Sequence, residues 1–394
     1  MALRLLVAGG GIGGLTAALA LARDGHNVEL LEQAEVFSEV GAGIQLGPNA
    51  VRRLSTLGLA KAVEGVAARP QALVIADALA GRELARMPLG DAMRERYGTP
   101  YLCIHRADLH ALLGEMVQSE GTALLHLQAR IVRVDARDDA VAVLAEDARA
   151  WEGDALVGAD GLWSVVRPKI VNAACGPRST GHTAWRGLIA QDDLPQSLRS
   201  ADVRVWLGPR MHAVAYPVRR GEALNVVVLA ESAPADDARD WDRPGSRQAL
   251  QDATGRCCST LQSLIESIGG WRAWTLSDRE PIAGPGEMAD DRIALLGDAA
   301  HPMLPYLAQG AGMAIEDALA LADALREVRN DTADVPIALG RYAAARWRRN
   351  AQVQSRARRN AAIFHMTGPM RIGRDLALRM LGPRLLDVPW LYGG

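Results

Sequence analysis

Apolar and glycine-rich segments alternate at the start of the chain in the order strand, turn, helix, strand. Residues 3–8 are apolar, the alanine-rich stretch 12–23 has the composition of a helix, and residues 28–31 form a second apolar run. The sequence Gly-Gly-Gly-Ile-Gly-Gly at positions 9–14 separates the first run from the helix. This order predicts a βαβ unit that binds a dinucleotide.

Each glycine of this loop has a specific expected use. Gly9 allows the tight turn, Gly11 lets the backbone approach a diphosphate, and Gly14 lets helix and strand pack closely. Glu32 follows the second strand, where a carboxylate can accept hydrogen bonds from a ribose hydroxyl. An acidic residue there favours FAD or NAD and repels the 2′-phosphate of NADP. A secretory signal is the alternative, but the glycines would interrupt its apolar region.

The remaining pattern predicts an α/β protein with a second, antiparallel sheet. Strands at 123–127, 131–135 and 140–144 have the spacing of a meander, and residues 155–159 form a buried strand. Alternation of apolar and polar positions predicts further strands at 184–189, 203–207, 212–218 and 224–229. Helices are predicted at 309–328 and, rich in arginine, at 336–360, while segments 41–49 and 90–98 are predicted to be loops.

Bulk composition excludes several classes of function. The 394 residues carry a net charge of −2, which provides no general attraction for nucleic acid or anionic membranes. The arginines of the C-terminal helix are therefore expected on a solvated face balanced by acids elsewhere. The four cysteines (Cys103, Cys175, Cys257 and Cys258) lack metal-ligand spacing and indicate a reducing cytoplasm. No zinc-type cluster is evident, so demanding redox chemistry would require an organic cofactor.

Three loops that follow apolar strands carry the most specific motifs. They are residues 9–14, Asp160-Gly161, and the segment GDAAHPMLPYLAQGAGMAIEDA at 297–318. In this order and spacing they resemble the single-component flavin-dependent aromatic hydroxylases, over nearly the whole chain. The motifs at 41–49, 105–109, 183–187 and 390–393 resemble the branch containing salicylate hydroxylase, 3-hydroxybenzoate 6-hydroxylase and 6-hydroxynicotinate monooxygenase.

The resemblance implies a bound FAD and a transient NADH or NADPH. Asp160 would contact the diphosphate region of FAD and the docked nicotinamide; the alternative is that it only closes a turn. Asp298 would bind the ribityl hydroxyls; the alternative is that it caps a helix. Arg106 would contact FAD; the alternative is that it pairs with Asp108. The helix that begins near Gly310 would direct its positive end at the flavin. The residues expected to contact FAD are Gly9, Gly11, Ile12, Gly13, Gly14, Glu32, Gln33, Gln45, Arg106, Asp160, Asp298, Gly310 and Ala311.

Substrate activation is expected from His212 and Tyr216, which share one face of a predicted strand. The electrophilic oxygen that such flavoproteins deliver attacks a phenol faster once the phenol is deprotonated, so a base is needed near the ring. The 3-hydroxybenzoate enzymes have the same two residue types at the matching positions; a solvent-facing hairpin histidine is the alternative. Tyr306 is a further catalytic candidate, and Pro305, Tyr306, Trp185 and Arg186 are the expected substrate contacts. His301 is expected to be structural.

Substrate identity stays open at this point. The hydroxynicotinate enzymes have a cysteine where Val203 stands and a histidine in place of Tyr306, and the 3-hydroxybenzoate enzymes have a glutamine in place of Pro305. Neither pattern is complete in this chain.

The predicted organisation is a doubly wound FAD-binding domain with an inserted antiparallel-sheet substrate domain. The first part of the FAD-binding domain spans 1–178, with substrate-domain strands near 70–105; the substrate domain spans 179–285, the second FAD-binding part 286–330, and a C-terminal helical segment 331–394. The predicted function is hydroxylation of a small phenolic or heteroaromatic acid with NAD(P)H and O2 in the cytoplasm, without nucleic acid or a membrane span; a homodimer is compatible. The alternatives are an oxidase or tailoring monooxygenase, and a non-catalytic FAD-binding redox sensor.

Overall fold

The computed structural model describes residues 2–36, 42–171, 176–232, 237, 239–328 and 332–393. Gly41 of the 41–49 motif and Cys175 lie outside the described residues. The described chain divides into two compact units. The first comprises residues 1–39, 107–177 and 279–357, and the second comprises residues 40–106, 178–278 and 358–394. Residues 331–394, predicted as one segment, are thus divided after Ala357.

The strands, in chain order, are β1 Arg4–Ala8, β2 Asn27–Leu31, β3 Gly43–Leu46, β4 Ala72–Asp77, β5 Glu83–Pro88, β6 Leu102–His105, β7 Ala123–His126, β8 Ile131–Ala136, β9 Val141–Ala145, β10 Ala150–Gly153, β11 Ala155–Gly158, β12 Arg178–Ala190, β13 Val203–Gly208, β14 Met211–Val218, β15 Ala223–Glu231, β16 Arg243–Gly245, β17 Trp271–Asp278, β18 Ala289–Asp290 and β19 Ile293–Leu295.

The helices are α1 Ile12–Arg23, α2 Pro48–Thr56, α3 Ala60–Val66, α4 Gly90–Tyr97, α5 Arg106–Ser119, α6 Arg247–Thr254, α7 Ser259–Ser267, α8 Gly310–Arg326, α9 Val335–Phe364, α10 Gly368–Leu381, α11 Pro383–Leu386 and α12 Pro389–Tyr392. Among the described residues, no helix is both long and apolar enough to cross a membrane.

The first unit is built on a six-stranded sheet in the order β18-β19-β11-β1-β2-β7. Its strands pair in parallel from β19 to β7, and only β18 is antiparallel. Helices α1 and α8 pack together, and a Cβ on Gly13 would lie 3.2 Å from the Cβ of Ala314. This is the doubly wound architecture that the βαβ pattern predicts.

Three local predictions were wrong. The strand at 123–127 does not belong to a meander, because β7 pairs in parallel with β2; the meander is β8-β9-β10. The glycine-rich segment after residue 41 contains the strand β3, which gains its hydrogen bonds from β6. Residues 90–97 form the helix α4, which ends where Gly98 adopts a positive φ of 79°.

The second unit contains an eight-stranded sheet in the order β16-β17-β12-β15-β14-β13-β4-β5. All of its pairs are antiparallel except β13 with β4. One face carries an apolar core that includes Trp185, Trp206 and Ala213 and residues of α6 and α7. Because side chains alternate along a strand, the residues between these core positions occupy the opposite face.

A buried ion network holds α8 and α9 together in the first unit. Asp317 is fully buried and accepts hydrogen bonds from Arg346 Nε at 2.8 Å, Asn350 Nδ2 at 2.9 Å and the ring of His301. Glu316 accepts from Arg346 Nη1 at 2.8 Å. Burial alone would raise the pKa of Asp317, but the charges of His301 and Arg346 outweigh it and lower that pKa. The prediction that the arginines of α9 lie on a solvated face is therefore wrong for Arg346, which is 6% exposed.

Asp317→Asn is expected to destabilise the protein by about 3–5 kcal/mol, because it leaves Arg346 buried without its full counter-charge. The pKa of Asp317 is lower in the folded chain than its ordinary value of 3.8, so its contribution is present above about pH 4 and is lost as the pH falls. Urea unfolding at neutral pH measures the loss. The control is Asp323→Asn, which removes a half-exposed carboxylate that pairs with Arg326. It should lower the free energy of unfolding by about 0.5 kcal/mol or less. Equal losses in the two variants would contradict the role of the network.

Candidate active site

The glycine loop after β1 has the geometry of a phosphate-binding turn. Gly9 has a φ of +102°, and a Cβ there would lie 2.5 Å from the carbonyl oxygen of Ala159. A Cβ on Gly14 would collide with the carbonyl oxygen of Gly9, whereas a Cβ on Gly11 would meet nothing within 4 Å. Gly9 and Gly14 are therefore required by the protein's own packing, and Gly11 faces open space.

The two helices that begin at these loops offer uncapped N-termini. Gly11 precedes α1 and Gln309 precedes α8; at neither helix does the N-cap side chain bond the first turn, and neither first turn contains an acid. Backbone N–H groups at such an end, together with the helix dipole, favour a negatively charged ligand. The space in front of Gly11 and the start of α1 fit the diphosphate of FAD.

Glu32 directly follows β2 and is fixed by the same glycine loop. Its Oε2 accepts from the Gly10 N–H at 2.6 Å, and its Oε1 accepts from the Ala34 N–H at 2.8 Å. His110 contacts the Gly10 carbonyl at 2.7 Å from the other side. A carboxylate has about four acceptor positions, so Glu32 retains capacity for ribose hydroxyls. Gln33, which follows it, is exposed.

The second and third loops carry Asp160 and Asp298. Asp160 Oδ2 accepts from the N–H groups of Val165 at 2.7 Å and Val166 at 3.2 Å, so this residue does close a turn. Its Oδ1 is buried with no hydrogen-bond partner among the described residues, and burial raises the pKa of this carboxyl. An unsatisfied buried acceptor is costly, which fits a donor supplied by a ligand. Asp298 follows β19 in a short 3-10 turn and is exposed.

Two of the expected FAD contacts, Gln45 and Arg106, belong to the second unit, whereas Ile12, Gly13, Gly310 and Ala311 belong to the first. Strands β3 and β6 pair in a two-stranded sheet, in which Gln45 lies opposite Cys103. Gln45 Oε1 accepts from the Tyr101 hydroxyl at 2.7 Å. The N–H of Arg106 donates to the carbonyl of Ala42 at 2.9 Å, which fixes the start of α5 beside β3.

Tyr216 and Asn225 hold the Gly43 peptide from both sides. The Tyr216 hydroxyl donates to the Gly43 carbonyl at 2.5 Å, and the Gly43 N–H donates to Asn225 Oδ1 at 2.7 Å. A Cβ on Gly43 would lie 2.5 Å from Tyr216 Cε2, so only glycine fits. Burial raises the pKa of Tyr216, which therefore stays protonated. Its hydroxyl proton is engaged in anchoring β3 to β14.

His212 and Tyr216 do share one face of β14, as the alternation predicted. Register places His212 opposite Leu229 and Tyr216 opposite Asn225, while Ala213 and Ala215 point into the apolar core. His212 is 3% exposed, which overturns the solvent-facing alternative. Its Nδ1 lies 2.9 Å from Nε2 of His365, and Phe364 packs edge-on against its ring. Burial, then the proximity of His365 and His182, lowers the pKa of His212 well below its ordinary value.

The predicted substrate contacts lie in different parts of the structure. Trp185 belongs to the apolar core, on the face opposite His212, because its register partner Val228 also points there. This corrects its expected place beside the substrate. Arg186 lies on the face of His212, bonded to Asp242 and 5.1 and 5.3 Å from the ring centroids of Trp241 and Trp274. In the first unit, Tyr306 is buried in a 3-10 turn and Pro305 beside it is exposed.

Several functional candidates were not found from the sequence. His365 is 153 positions from His212 and His182 is 30 positions before it, so no local spacing links the three rings. Asn225 owes its role to strand register, and Asp242 lies in the segment just before β16, 56 positions from Arg186. A strand-pairing prediction could have indicated His182 and Asn225, whereas no sequence signal indicates His365 or Asp242. The groups of His, Cys, Asp and Glu in the described part of the chain include none arranged to hold a metal ion.

Comparison with known proteins gives a consistent result. The FAD binding domain family matches residues 3–357. The 3-hydroxybenzoate 6-hydroxylase of Polaromonas naphthalenivorans is 41% identical over 394 residues, which cover 99% of this chain and 96% of that protein. The 6-hydroxynicotinate 3-monooxygenase of Bordetella bronchiseptica is 37% identical over 81% of each chain. A salicylate hydroxylase–substrate complex has a TM-score of 0.83 at 25% identity, covering 100% of this chain and 96% of that one.

Gly11→Ala is expected to leave the fold intact and to weaken FAD binding by roughly tenfold or more, about 1.4 kcal/mol. The added methyl enters the open space before α1 without meeting any protein atom, so the loss would report on the ligand alone. Flavin fluorescence titration measures the affinity, and the melting temperature reports the fold. Gly114→Ala within α5 is the control, because a Cβ there also meets nothing within 4 Å. Unchanged FAD affinity in Gly11→Ala would place the diphosphate elsewhere.

Proposed function

The chain belongs to the FAD-binding domain family and is an FAD-dependent aromatic monooxygenase, and we propose that it hydroxylates a monohydroxybenzoate with NAD(P)H and O2. The substrate class rests on the 41% identity to a 3-hydroxybenzoate 6-hydroxylase over nearly the full length of both chains. Val203 and Tyr306 depart from the hydroxynicotinate pattern at two positions, whereas Pro305 departs from the 3-hydroxybenzoate pattern at one, and this balance favours a benzoate ring over a pyridine ring.

When bound, FAD supplies the redox chemistry, taking a hydride from NAD(P)H and passing one oxygen atom of O2 to the ring. In the first unit, the N–H groups before α1 would hold the diphosphate, and Glu32 would accept hydrogen bonds from the adenosine ribose. Asp160 Oδ1 and Asp298 would accept from further cofactor hydroxyls. The start of α8, with Gly310 and Ala311, would present N–H groups to the flavin ring and stabilise negative charge there.

His212 is the proposed catalytic base. The observation that carries this role is a buried imidazole on the polar face of the β12–β15–β14 sheet, with a second imidazole on its Nδ1. A ring hydroxyl that gives its proton to His212 becomes electron-rich and reacts faster with electrophilic oxygen. Tyr216 is a positioning residue, because its hydroxyl anchors the Gly43 peptide beside Gln45. Tyr306 is the second candidate for a hydroxyl near the ring.

His212→Ala is expected to lower product formation by about 10²- to 10⁴-fold, the usual contribution of general acid–base catalysis. FAD content should not change, because His212 belongs to β14 and not to the glycine, Asp160 or Asp298 loops. NADH oxidation should continue in part and release hydrogen peroxide. The amount of product, measured by chromatography, is divided by the amount of NADH consumed, and this ratio gives the coupling of NADH oxidation to hydroxylation.

Tyr216→Phe is the matched comparison, since it removes one hydrogen bond worth about 1 kcal/mol and leaves the ring in place. Its effect on product formation should be smaller than that of His212→Ala. If His212→Ala kept full product yield across the pH range and Tyr306→Phe did not, the base would be assigned to the Tyr306 side of the site.

A substrate panel tests the proposed reaction itself. Salicylate, 3-hydroxybenzoate, 4-hydroxybenzoate and 6-hydroxynicotinate are compared for stimulated oxidation of NADH and of NADPH, with benzoate as a control that has no ring hydroxyl. We expect stimulation with product formation by a hydroxybenzoate and none by benzoate. Stimulation by 6-hydroxynicotinate alone would replace the proposed substrate class.

A further inference from the structure

Three histidines of the second unit form a continuous hydrogen-bonded chain. His212 Nδ1 lies 2.9 Å from His365 Nε2, and His365 Nδ1 lies 3.1 Å from His182 Nε2. The chain ends where His182 Nδ1 meets the carbonyl oxygen of Thr180 at 2.9 Å. The ring centroids are 5.2 and 4.9 Å apart along it.

The fold holds each ring in its place. Strands β12 and β14 lie on either side of β15. His182 of β12 is opposite Glu231 of β15, and His212 of β14 is opposite Leu229 of β15. Because Glu231 and Leu229 are two residues apart on one strand, both histidines share one face of the sheet. His365 follows α9 directly and bridges the two. Its carbonyl accepts from the N–H of Arg210 at the β13–β14 turn, at 3.2 Å.

The Thr180 carbonyl sets the direction of the whole chain. A carbonyl oxygen only accepts, so His182 Nδ1 carries a hydrogen and, in the neutral ring, Nε2 of His182 is an acceptor. His365 must then donate from Nδ1 and accept at Nε2, and His212 must donate from Nδ1. The result is that the Nε2 atom of His212 is left unprotonated, which is the form that a base requires.

We propose that His212, His365 and His182 form a proton relay that carries the proton of the substrate's ring hydroxyl to solvent. This relay rests on the proposed function. The hydroxyl proton goes to His212 Nε2 as Nδ1–H of His212 passes to His365 Nε2, and Nδ1–H of His365 passes to His182 Nε2. His182 then loses its Nδ1 proton to water, so one proton leaves the substrate and one reaches solvent. The reverse transfer, in which water returns a proton to His182 Nδ1 and His212 Nε2 gives one back to the hydroxyl of the product, restores the original tautomers.

Burial of His212 and His365 favours passage of the proton along the chain of histidines over its retention on either ring. His212 is 3% exposed and His365 is 8% exposed, whereas His182 is only partly buried. Desolvation lowers the pKa of both buried rings, that of His365 to about 3 with added effects from His182 and Arg374. Arg374 also donates to Asp375 and to the carbonyls of Ile363 and Phe364, and thus adds no base to the chain. A positive charge is therefore disfavoured on both His212 and His365, so neither ring retains the proton.

The test follows the proton directly. Anaerobic FAD-loaded enzyme is mixed with 3-hydroxybenzoate in weakly buffered solution that contains a pH-indicator dye, while the ultraviolet absorption of the substrate reports phenolate. His365→Gln keeps a donor and an acceptor at this position but cannot pass a proton. We expect it to slow proton release roughly 10²-fold with substrate affinity changed less than threefold.

Two further variants distinguish a proton relay from a purely structural role of the histidines. His126→Gln, at a partly exposed histidine paired with Glu29 in the first unit, should leave proton release unchanged. His182→Ala should slow release as His365→Gln does, and added imidazole should restore it, since the site of His182 is partly exposed. Normal release in His365→Gln, or no rescue of His182→Ala by imidazole, would overturn the relay.

A second measurement does not depend on turnover. Long-range 1H–15N correlation spectra of the ligand-free protein assign the tautomer of each ring. We expect Nδ1–H at all three histidines, and the same tautomer at His212 in His365→Gln, because the glutamine side-chain oxygen still accepts from His212 Nδ1. An Nε2–H tautomer at His212 in the unaltered protein would overturn the relay. Failure of every hydroxybenzoate to bind, with the expected tautomers present, would instead refute the proposed substrate.

Discussion

The site depends on one constraint, which is that polar groups removed from water need partners within the protein. Asp317 meets this need with Arg346, Asn350 and His301, and the resulting network fixes the start of α8 relative to the loop that carries Asp298. The Gly43 peptide meets it with Tyr216 and Asn225. His212 meets it with a second histidine. In each case the pairing that satisfies a buried group also positions a residue with a proposed role in binding or catalysis.

The two faces of the eight-stranded sheet differ in polarity because side chains alternate along each strand. Apolar residues such as Trp185, Ala213 and Val228 pack under α6 and α7, while their sequence neighbours on the other face include Arg186 and His212. The two-residue period of a strand therefore makes a stable core and a chemically active face from one sequence.

The sequence was sufficient for the N-terminal βαβ unit, residues 4–31, because its signals are local. The turn at Gly9, the open space before Gly11 and the acid at Glu32 all depend on residues within one βαβ unit, and Gly9 has the positive φ that a tight turn requires. The wrong predictions involve partners that are distant in sequence. Residues 43–46 become a strand only because β6 supplies hydrogen bonds, and β7 joins the parallel sheet because it pairs with β2 rather than with β8.

By itself, the sequence determined the fold class, the dinucleotide loop, the family and the shared face of His212 and Tyr216, since periodicity and short motifs encode these properties directly. Tertiary structure alone decided that Tyr216 donates to Gly43, that Trp185 lies in the core and that Arg346 is buried. It also brought His182, His212 and His365 into one chain across strands β12 and β14 and the end of α9. The physical reason is that a hydrogen bond forms wherever packing brings a donor to an acceptor, and packing joins residues that no sequence spacing relates.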